Sequence, residues 1–465
     1  MIQSIILTGL ILSTSVIAGQ PQSVKATQKW VKKNGHTIIK DFAHLLSMPN
    51  VASDKVNIRR NAKYISNLFK KRGFDMQLLE TEDANPIIYG EYKTPGAKRT
   101  LCFYVHYDGQ PVDLIQWTHG PFDPVLYDAS MDAGGKPIPL PMKQTKINPE
   151  WRLYARSAGD DKAPIITILN AVDALQSLKI GFTSNIKLFF EGEEEAGSTN
   201  LEAHLTKHKA LLDDIDIWLF CDGPMHQSRQ PQLVFGVRGV TGMEITVYGA
   251  TRSLHSGHYG NWAPVPGQSL AHLIATMKDE NGKVLIDGFY DTVVPLSEFE
   301  RFELSKIPDV DRQLKKELGL AYTEGDGQSI NERLLLPSLT IKGLSGGNVG
   351  KKARNVIPNT ATAAIGVRLV KGNDPKDMLD KVEAHIRSKG FHIVNDEPDM
   401  ATRRKYPKIA KVDRRGSGYI ASRTSMEEPN AKAIINAVRA FVGDKLILMP
   451  ALGGSLPLYL FTDLL

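Results

Sequence analysis

The sequence predicts an α/β fold: a main domain on a mostly parallel sheet, interrupted by an inserted α+β unit of ferredoxin-like order. Apolar runs at 101–105, 186–190 and 215–221 read as buried strands, and each ends abruptly in His, Glu or Asp. Segments of helical spacing separate these runs, the pattern of parallel strands joined by crossovers. Near residues 236–242 the chain changes character, and the next 150 or so residues, up to position 398, read β-α-β-β-α-β. The expected boundaries are 20–237 and 399–465 for the main domain and 238–398 for the insert.

At 465 residues the chain has room for two or three domains. Its 42% hydrophobic and 23% charged content is that of a globular protein. A net charge of +6 points neither to nucleic acid nor to a membrane surface. There is no internal repeat and no stretch after the N-terminus that could span a membrane. Residues 5–18 are apolar, too short to span, and end in small residues at Val16-Ile17-Ala18. Residues 1–19 therefore read as a signal peptide, a simple apolar extension being the alternative, and export to a periplasm or the exterior is expected. Cys102 and Cys221 lie in apolar runs and are expected as buried free thiols.

Taken in order, Trp30, Ile38, Phe42 and Leu45 mark a first helix. Ser53 or Asp54 can cap a second one carrying Val56, Ile65, Leu68 and Phe69. Short strands are expected near 77–79 and 87–92, then the run 100–105 leading into His106-Tyr107-Asp108. In extended chain His106 and Asp108 share a face, so Asp108 is placed to accept the second ring N–H of His106. A surface turn would give the same pattern. Asp160-Asp161-Lys162 opens a helix with Ile165, Ile168, Leu169, Val172 and Leu175 on one side, and one of the two Asp is expected to cap it.

Four carboxylates then follow the strand 186–190 within five residues: Glu191, Glu193, Glu194 and Glu195. Like charges this close repel unless something positive lies among them. A solvated acidic loop is one reading. The other is a metal site, because 215–221 likewise ends in Asp222, and strand ends of a parallel sheet converge on one edge. One His with several carboxylates suits a pair of divalent ions, most simply zinc.

The ordered set His-x-Asp, Asp-Asp-Lys, Glu-Gly-x-Glu-Glu-x-Gly-Ser, strand-end Asp, Asn-Val-Ile-Pro and Gly-Gly-Ser-Leu-Pro resembles the M20 family of dinuclear zinc peptidases and deacylases. The resemblance runs from about residue 30 to the C-terminus and is nearest to the carnosinase-type dipeptidases. It implies a zinc-peptidase catalytic domain and a ferredoxin-like lid that forms a homodimer. It implies His106 and Asp222 on one zinc, Asp160 bridging two, Glu195 on the second, Glu194 as general base and Asp108 supporting His106. It also implies a cis peptide between Asp160 and Asp161. Ala163 replaces the Gly that many members have after Asp-Asp-Lys.

In the insert, Met243, Ile245 and Val247 alternate with polar residues as a half-buried strand. A helix is expected over 266–277, strands over 338–342 and 361–370, a helix from Asp374-Pro375 and a strand over 391–394. His255, in Leu-His-Ser-Gly, reads as a polar turn from its residues alone; the resemblance makes it the group that reaches the partner subunit's site and stabilises the developing oxyanion. Asn355 and Arg368 match the family's substrate-binding pair, and Ser455 a substrate contact. Residues 403–415 hold seven Lys or Arg and one Asp, and are expected as a solvated basic loop, a rim attracting anionic substrates being the alternative. A helix is expected from Pro429 to Val442.

Family members continue past the position of Leu465 and supply one more zinc ligand, a His, whereas the last His here is His392. The expectation is therefore one full zinc site, a second short of a ligand, and exposed apolar surface around Leu458, Leu460 and Phe461. The function expected is metal-dependent hydrolysis of dipeptides or N-acyl amino acids carrying a free carboxylate. The alternatives are an N-acyl amino acid deacylase of the acetylornithine or desuccinylase type, and a homologue that binds ligand without turning it over. A two-lobed solute-binding protein would have no need of Glu194-Glu195 and a His-x-Asp.

Overall fold

The computed structural model describes residues 22–416 and 418–465; the signal-peptide expectation for residues 1–19 lies outside them. Two compact units emerge. One takes the chain up to Leu78 with Ile88–Gly192 and Ala433–Lys445, the other Leu79–Ile87, Glu193–Lys432 and Leu446–Leu465.

The first unit opens with α1 (Gln22–Leu46) and α2 (Lys55–Lys70). Of the two candidate caps, Asp54 is used: its side chain accepts from the Asn57 amide at 3.1 Å. Ile58, Ala62, Ile65 and Phe69 recur at helical spacing and are buried, whereas Val56 is exposed. The sheet runs β1 (Asp75–Leu79), β2 (Ile87–Tyr92), then β4 (Asn185–Glu191), then β3 (Thr100–His106). β3 and β4 are parallel, from Thr100 opposite Asn185 to His106 opposite Glu191, while β2 joins β4 antiparallel. The parallel pair needs a crossover, and α3 (Lys162–Ser177) lies in it. Val105, Leu188, Phe189 and Phe190 are sealed from solvent, and Phe69 meets Phe190 edge-on at 5.7 Å. Each such side chain contributes on the order of 2 kcal/mol by burial. This core fixes the strand ends that carry the polar residues. Cys102 is buried as expected and Cys221 only half-buried, and neither is in a disulfide.

The second unit contains α4 (Leu201–Lys207), β5 (Ile217–Phe220) and β6 (Gln232–Val234). Its larger sheet is built from β7 (Gly239–Tyr248), β9 (Ser338–Ser345), β11 (Thr360–Leu369), β12 (His392–Val394) and β13 (Ile409–Arg414). A short ribbon pairs β8 (Leu254–His255) with β10 (Val356–Ile357). The helices are α5 (Pro266–Ala275) and α6 (Pro375–Ser388), the latter capped by Asp374 with Pro375 in its first turn, as the sequence predicts. Met243, Ile245 and Val247 of β7 and Ala361, Ala363, Ile365 and Val367 of β11 face the helices and are buried with Met378, Val382 and Ile386 of α6. The alternation of the strands thus meets the helical stripe of α6 in one core.

The spatial order is β9-β11-β7-β13-β12. Without β13 this is the ferredoxin-like order expected from β-α-β-β-α-β. The run 403–415, expected as a solvated loop, instead forms α7 (Met400–Lys405) and β13. β13 pairs antiparallel with β7 and parallel with β12. Its charges are matched: Arg414 reaches Asp380 and Glu383 on α6, Lys411 meets Asp413, and Arg403 meets Glu397. Ile409 and Ala410 are buried between these charges.

The second unit closes with the parallel pair of β6 and β14 (Ile447–Met449) and with α8 (Tyr459–Leu464). The helix expected from Pro429 forms as Pro429–Val442. The apolar surface expected around Leu460 and Phe461 is not exposed. α8 folds back so that these residues are only 6% and 7% accessible, and Phe461 meets Trp218 and Phe220 edge-on, each at 4.9 Å. Leu458 is half-buried.

Candidate active site

At the end of β3 the imidazole of His106 is fully buried between carboxylates. Its Nε2 is 2.7 Å from Asp160 Oδ1, and its Nδ1 is 3.4 Å from Asp108 Oδ1. The second distance is an ion-pair contact, long for a hydrogen bond. Asp108 has no solvent exposure, whereas the Asp160 side chain is 69% exposed, so the cluster opens on the Asp160 side. Neither Asp of the pair 160–161 caps α3 through its side chain, contrary to expectation. Asp161 turns inward instead: it is 1% exposed, and its Oδ2 accepts from the His106 amide at 3.2 Å. The Asp160–Asp161 peptide is cis.

The electrostatics follow from this crowding. Burial alone would keep the His106 imidazole neutral. Its contacts with Asp108 and Asp160 and the charges of Asp108 and Asp161 outweigh burial, and His106 is pushed up to about 12. Hydrogen bonding to His106 holds the Asp160 carboxyl below its ordinary value against the effect of burial, and the charges of His106 and Arg156 act in the same direction. Three carboxylates around one buried imidazole therefore call for additional positive charge. One imidazole nitrogen and one carboxylate oxygen, close together and open to solvent on one side, are donors of the types that a zinc-like divalent ion takes.

The buried Lys162 anchors the start of α3, donating through Nζ to the carbonyls of Leu45 and Met48, both at 3.0 Å. Burial pulls its amine down to about 7.

The four carboxylates of the stretch have different surroundings. Glu191 accepts from the Tyr104 hydroxyl at 2.6 Å. Glu193 is 7% exposed and accepts from the Asn85 amide and the Asn200 side chain, both at 2.7 Å. Those bonds pin the turn Glu194–Ala196, which is closed by Gly197 at φ 89, a conformation that favours glycine. Glu194 and Glu195 are half-buried on this pinned turn.

Within the second unit, Glu194 lines a cavity of about 370 Å³ with Ser198, Glu202, Tyr419, Ser455 and Tyr459. Arg368, at the end of β11, donates to Ser455 Oγ at 2.6 Å. The substrate contacts expected at Arg368 and Ser455 are thus brought together. Tyr419, which sequence reasoning missed, is held by reciprocal backbone bonds with Val240, and its ring stacks on Tyr459 at 5.7 Å. Burial pushes its phenol up, with Ser455 and Arg368 opposing. Only its place on the cavity marks it, and a lone Tyr in a Gly-Ser-Gly-Tyr loop carries no signal in sequence.

His255 and Asn355 are also brought together and both are exposed: β8 and β10 place His255 opposite Val356, and the Ser256 amide donates to the Asn355 carbonyl at 3.0 Å. Asp222 comes two residues after the end of β5 and is half-buried.

Comparison with known proteins gives a consistent result. Residues 235–393 match the family model of a peptidase dimerisation domain, M20_dimer. The Cys-Gly metallodipeptidase of Candida albicans is 30% identical over 361 residues, covering 74% of this chain and 70% of the relative. The Cys-Gly metallodipeptidase of Schizosaccharomyces pombe is 27% identical over 394 residues, covering 80% and 77%. Among solved structures, the M20 family metallo-carboxypeptidase Sso-CP2 of Sulfolobus solfataricus superposes with a TM-score of 0.69 at 28% identity, covering 92% of this chain and 89% of that one.

Proposed function

The chain belongs to the M20 family of metallopeptidases, and from that premise we propose that it is a zinc-dependent dipeptidase acting on small dipeptides with a free C-terminal carboxylate, Cys-Gly among them. The observation that supports this most is the buried His106, flanked by Asp160 and backed by Asp108. In this reading His106, Asp160 and Asp222 hold one zinc, and Asp160 and Glu195 serve a second. Zinc held there supplies Lewis acidity toward the scissile carbonyl and lowers the pKa of water.

The chain's own groups do the rest. Asp108 holds the ring of His106 in orientation. Glu194 takes the proton of the attacking water and passes it to the leaving amine. Arg368 and Ser455 hold the substrate carboxylate, the guanidinium fork supplying charge and direction. The protein acts as a homodimer through its lid, and His255 of the partner subunit donates to the carbonyl oxygen as negative charge builds on it. Residues 1–19 direct export.

The test is turnover of Cys-Gly, other dipeptides, and N-acetyl and N-succinyl amino acids, before and after chelation and with zinc restored. Dipeptide cleavage that chelation abolishes and zinc restores is expected. Preference for acyl amino acids would make the protein a deacylase. Zinc binding with no turnover of either class would make it a binding homologue.

A further inference from the structure

The loop between α1 and α2 carries Asn50, 0% exposed and not itself part of the ligand set. Its Nδ2 donates to the Tyr107 carbonyl at 2.8 Å and to Ser157 Oγ at 2.9 Å. Its own carbonyl accepts from the Gly109 amide at 2.9 Å. Tyr107 lies between His106 and Asp108; Ser157 stands three residues before Asp160, and its carbonyl accepts from the Lys162 amide at 3.1 Å. One side chain therefore ties the loop after β3 to the loop that precedes α3. An amide nitrogen has two hydrogens, and both are used here. Aspartate has no donor to offer to the Tyr107 carbonyl. The two loops have no slack: a Cβ on Gly109 would come within 2.5 Å of Ser157 Oγ and 3.2 Å of Asn50 Nδ2.

We propose that Asn50 is a positioning residue for the metal centre, helping to set the separation of His106 and Asp160 by bridging the residue that follows His106 at the end of β3 to the loop that carries Asp160. The proposal rests on the proposed role of His106 and Asp160 as metal ligands. A ligand pair must be held to within about half an ångström to bind well; the pairing of Val125–Tyr127 with Arg152–Tyr154 and the bond from the His106 amide to Asp161 also join these segments, and Asn50 adds a buried bridge at the residue next to His106 and three residues before Asp160. Loss of a partner behind a metal ligand typically weakens metal binding about 10–100-fold.

The experiment measures binding of zinc and of cobalt(II) to the full chain by competition with a chromophoric chelator, together with the visible spectrum of the cobalt form. Asn50→Ala is compared with Asn170→Ala, which removes another buried amide of the same unit, one bonded to the Ile166 carbonyl of its own helix. Asn50→Ala is expected to weaken cobalt binding about 10–100-fold and to alter the spectrum, while Asn170→Ala leaves both unchanged at a comparable loss of thermal stability. Ser157→Ala removes half of the bridge, is expected to weaken binding several-fold, and decides the matter if Asn50→Ala fails to fold. Unchanged affinity and spectrum in a folded Asn50→Ala protein, or equal losses in both Asn variants, overturns the proposal. If the parent chain itself binds neither metal, it is the ligand assignment that falls.

Discussion

Four carboxylates lie within five residues from the last residue of β4 onward, and hydrogen bonds engage two of them: Glu191 with Tyr104, and Glu193 with Asn85 and Asn200. Those bonds give two of the carboxylates hydrogen-bond donors to offset their repulsion, and they pin the turn on which Glu194 and Glu195, the proposed base and metal ligand, stand. The two neighbours should therefore behave differently when changed. Glu194→Gln is expected to lower turnover by about 10²–10⁴-fold, the usual worth of a positioned proton-transfer group, with metal content intact. Glu195→Gln is expected to lose metal first and activity as a consequence. Metal analysis beside the kinetics separates the two, and equal metal content with equal activity in both variants would refute the assignment. At this scale the sequence marked candidate side chains but not what holds them. His106, Asp160 and Glu194 stand out because each sits where an apolar run stops or a helix starts. Asn50 does not, because its partners Tyr107 and Ser157 are distant in sequence and only the fold brings them to it.

Helices and strands were legible where hydrophobic period and charge agreed, and illegible where charge hid the period. β13 is the clear case: Ile409, Ala410 and Val412 lie among basic residues, and the charges read as solvated until Asp380 and Glu383 of α6 are seen opposite Arg414. The start of α2 is the reverse case, a cap legible from Ser53-Asp54 and resolved in favour of Asp54 by its bond to Asn57. Side-chain and backbone hydrogen bonds from Asn57 hold the Asp54 carboxyl below its ordinary value of 3.8. A depressed carboxylate stabilises the fold above its unfolded value, and that contribution is lost as pH falls through the folded one. Asp54→Ala should therefore cost about 1 kcal/mol at neutral pH. The gap between variant and parent should shrink as the pH is taken below 3.8, as denaturant titrations at several pH values would register.

For the molecule as a whole, the proposed action of His255 across a dimer makes activity a property of pairs. His255 and Asn355 form one exposed element, joined through β8 and β10. Mixing inactive His255→Ala and Glu194→Gln subunits and allowing exchange should restore part of the parental turnover, because one site of each mixed dimer then has both groups intact. Activity that stays at the level of the two parents, after labelled subunits have been shown to exchange, rules out action in trans. The order β9-β11-β7-β13-β12 carries a different consequence, one for gene surgery. The ferredoxin-like unit is not a cassette with clean ends. The strand wedged between its first and fourth members is encoded after residue 398, so a transplant cut there would leave β12 with no neighbour and β7 with a naked edge. A graft carried through Arg414 would take the whole sheet with it, and any recombination that shuffled this insert between relatives would have had to cross at the far side of β13.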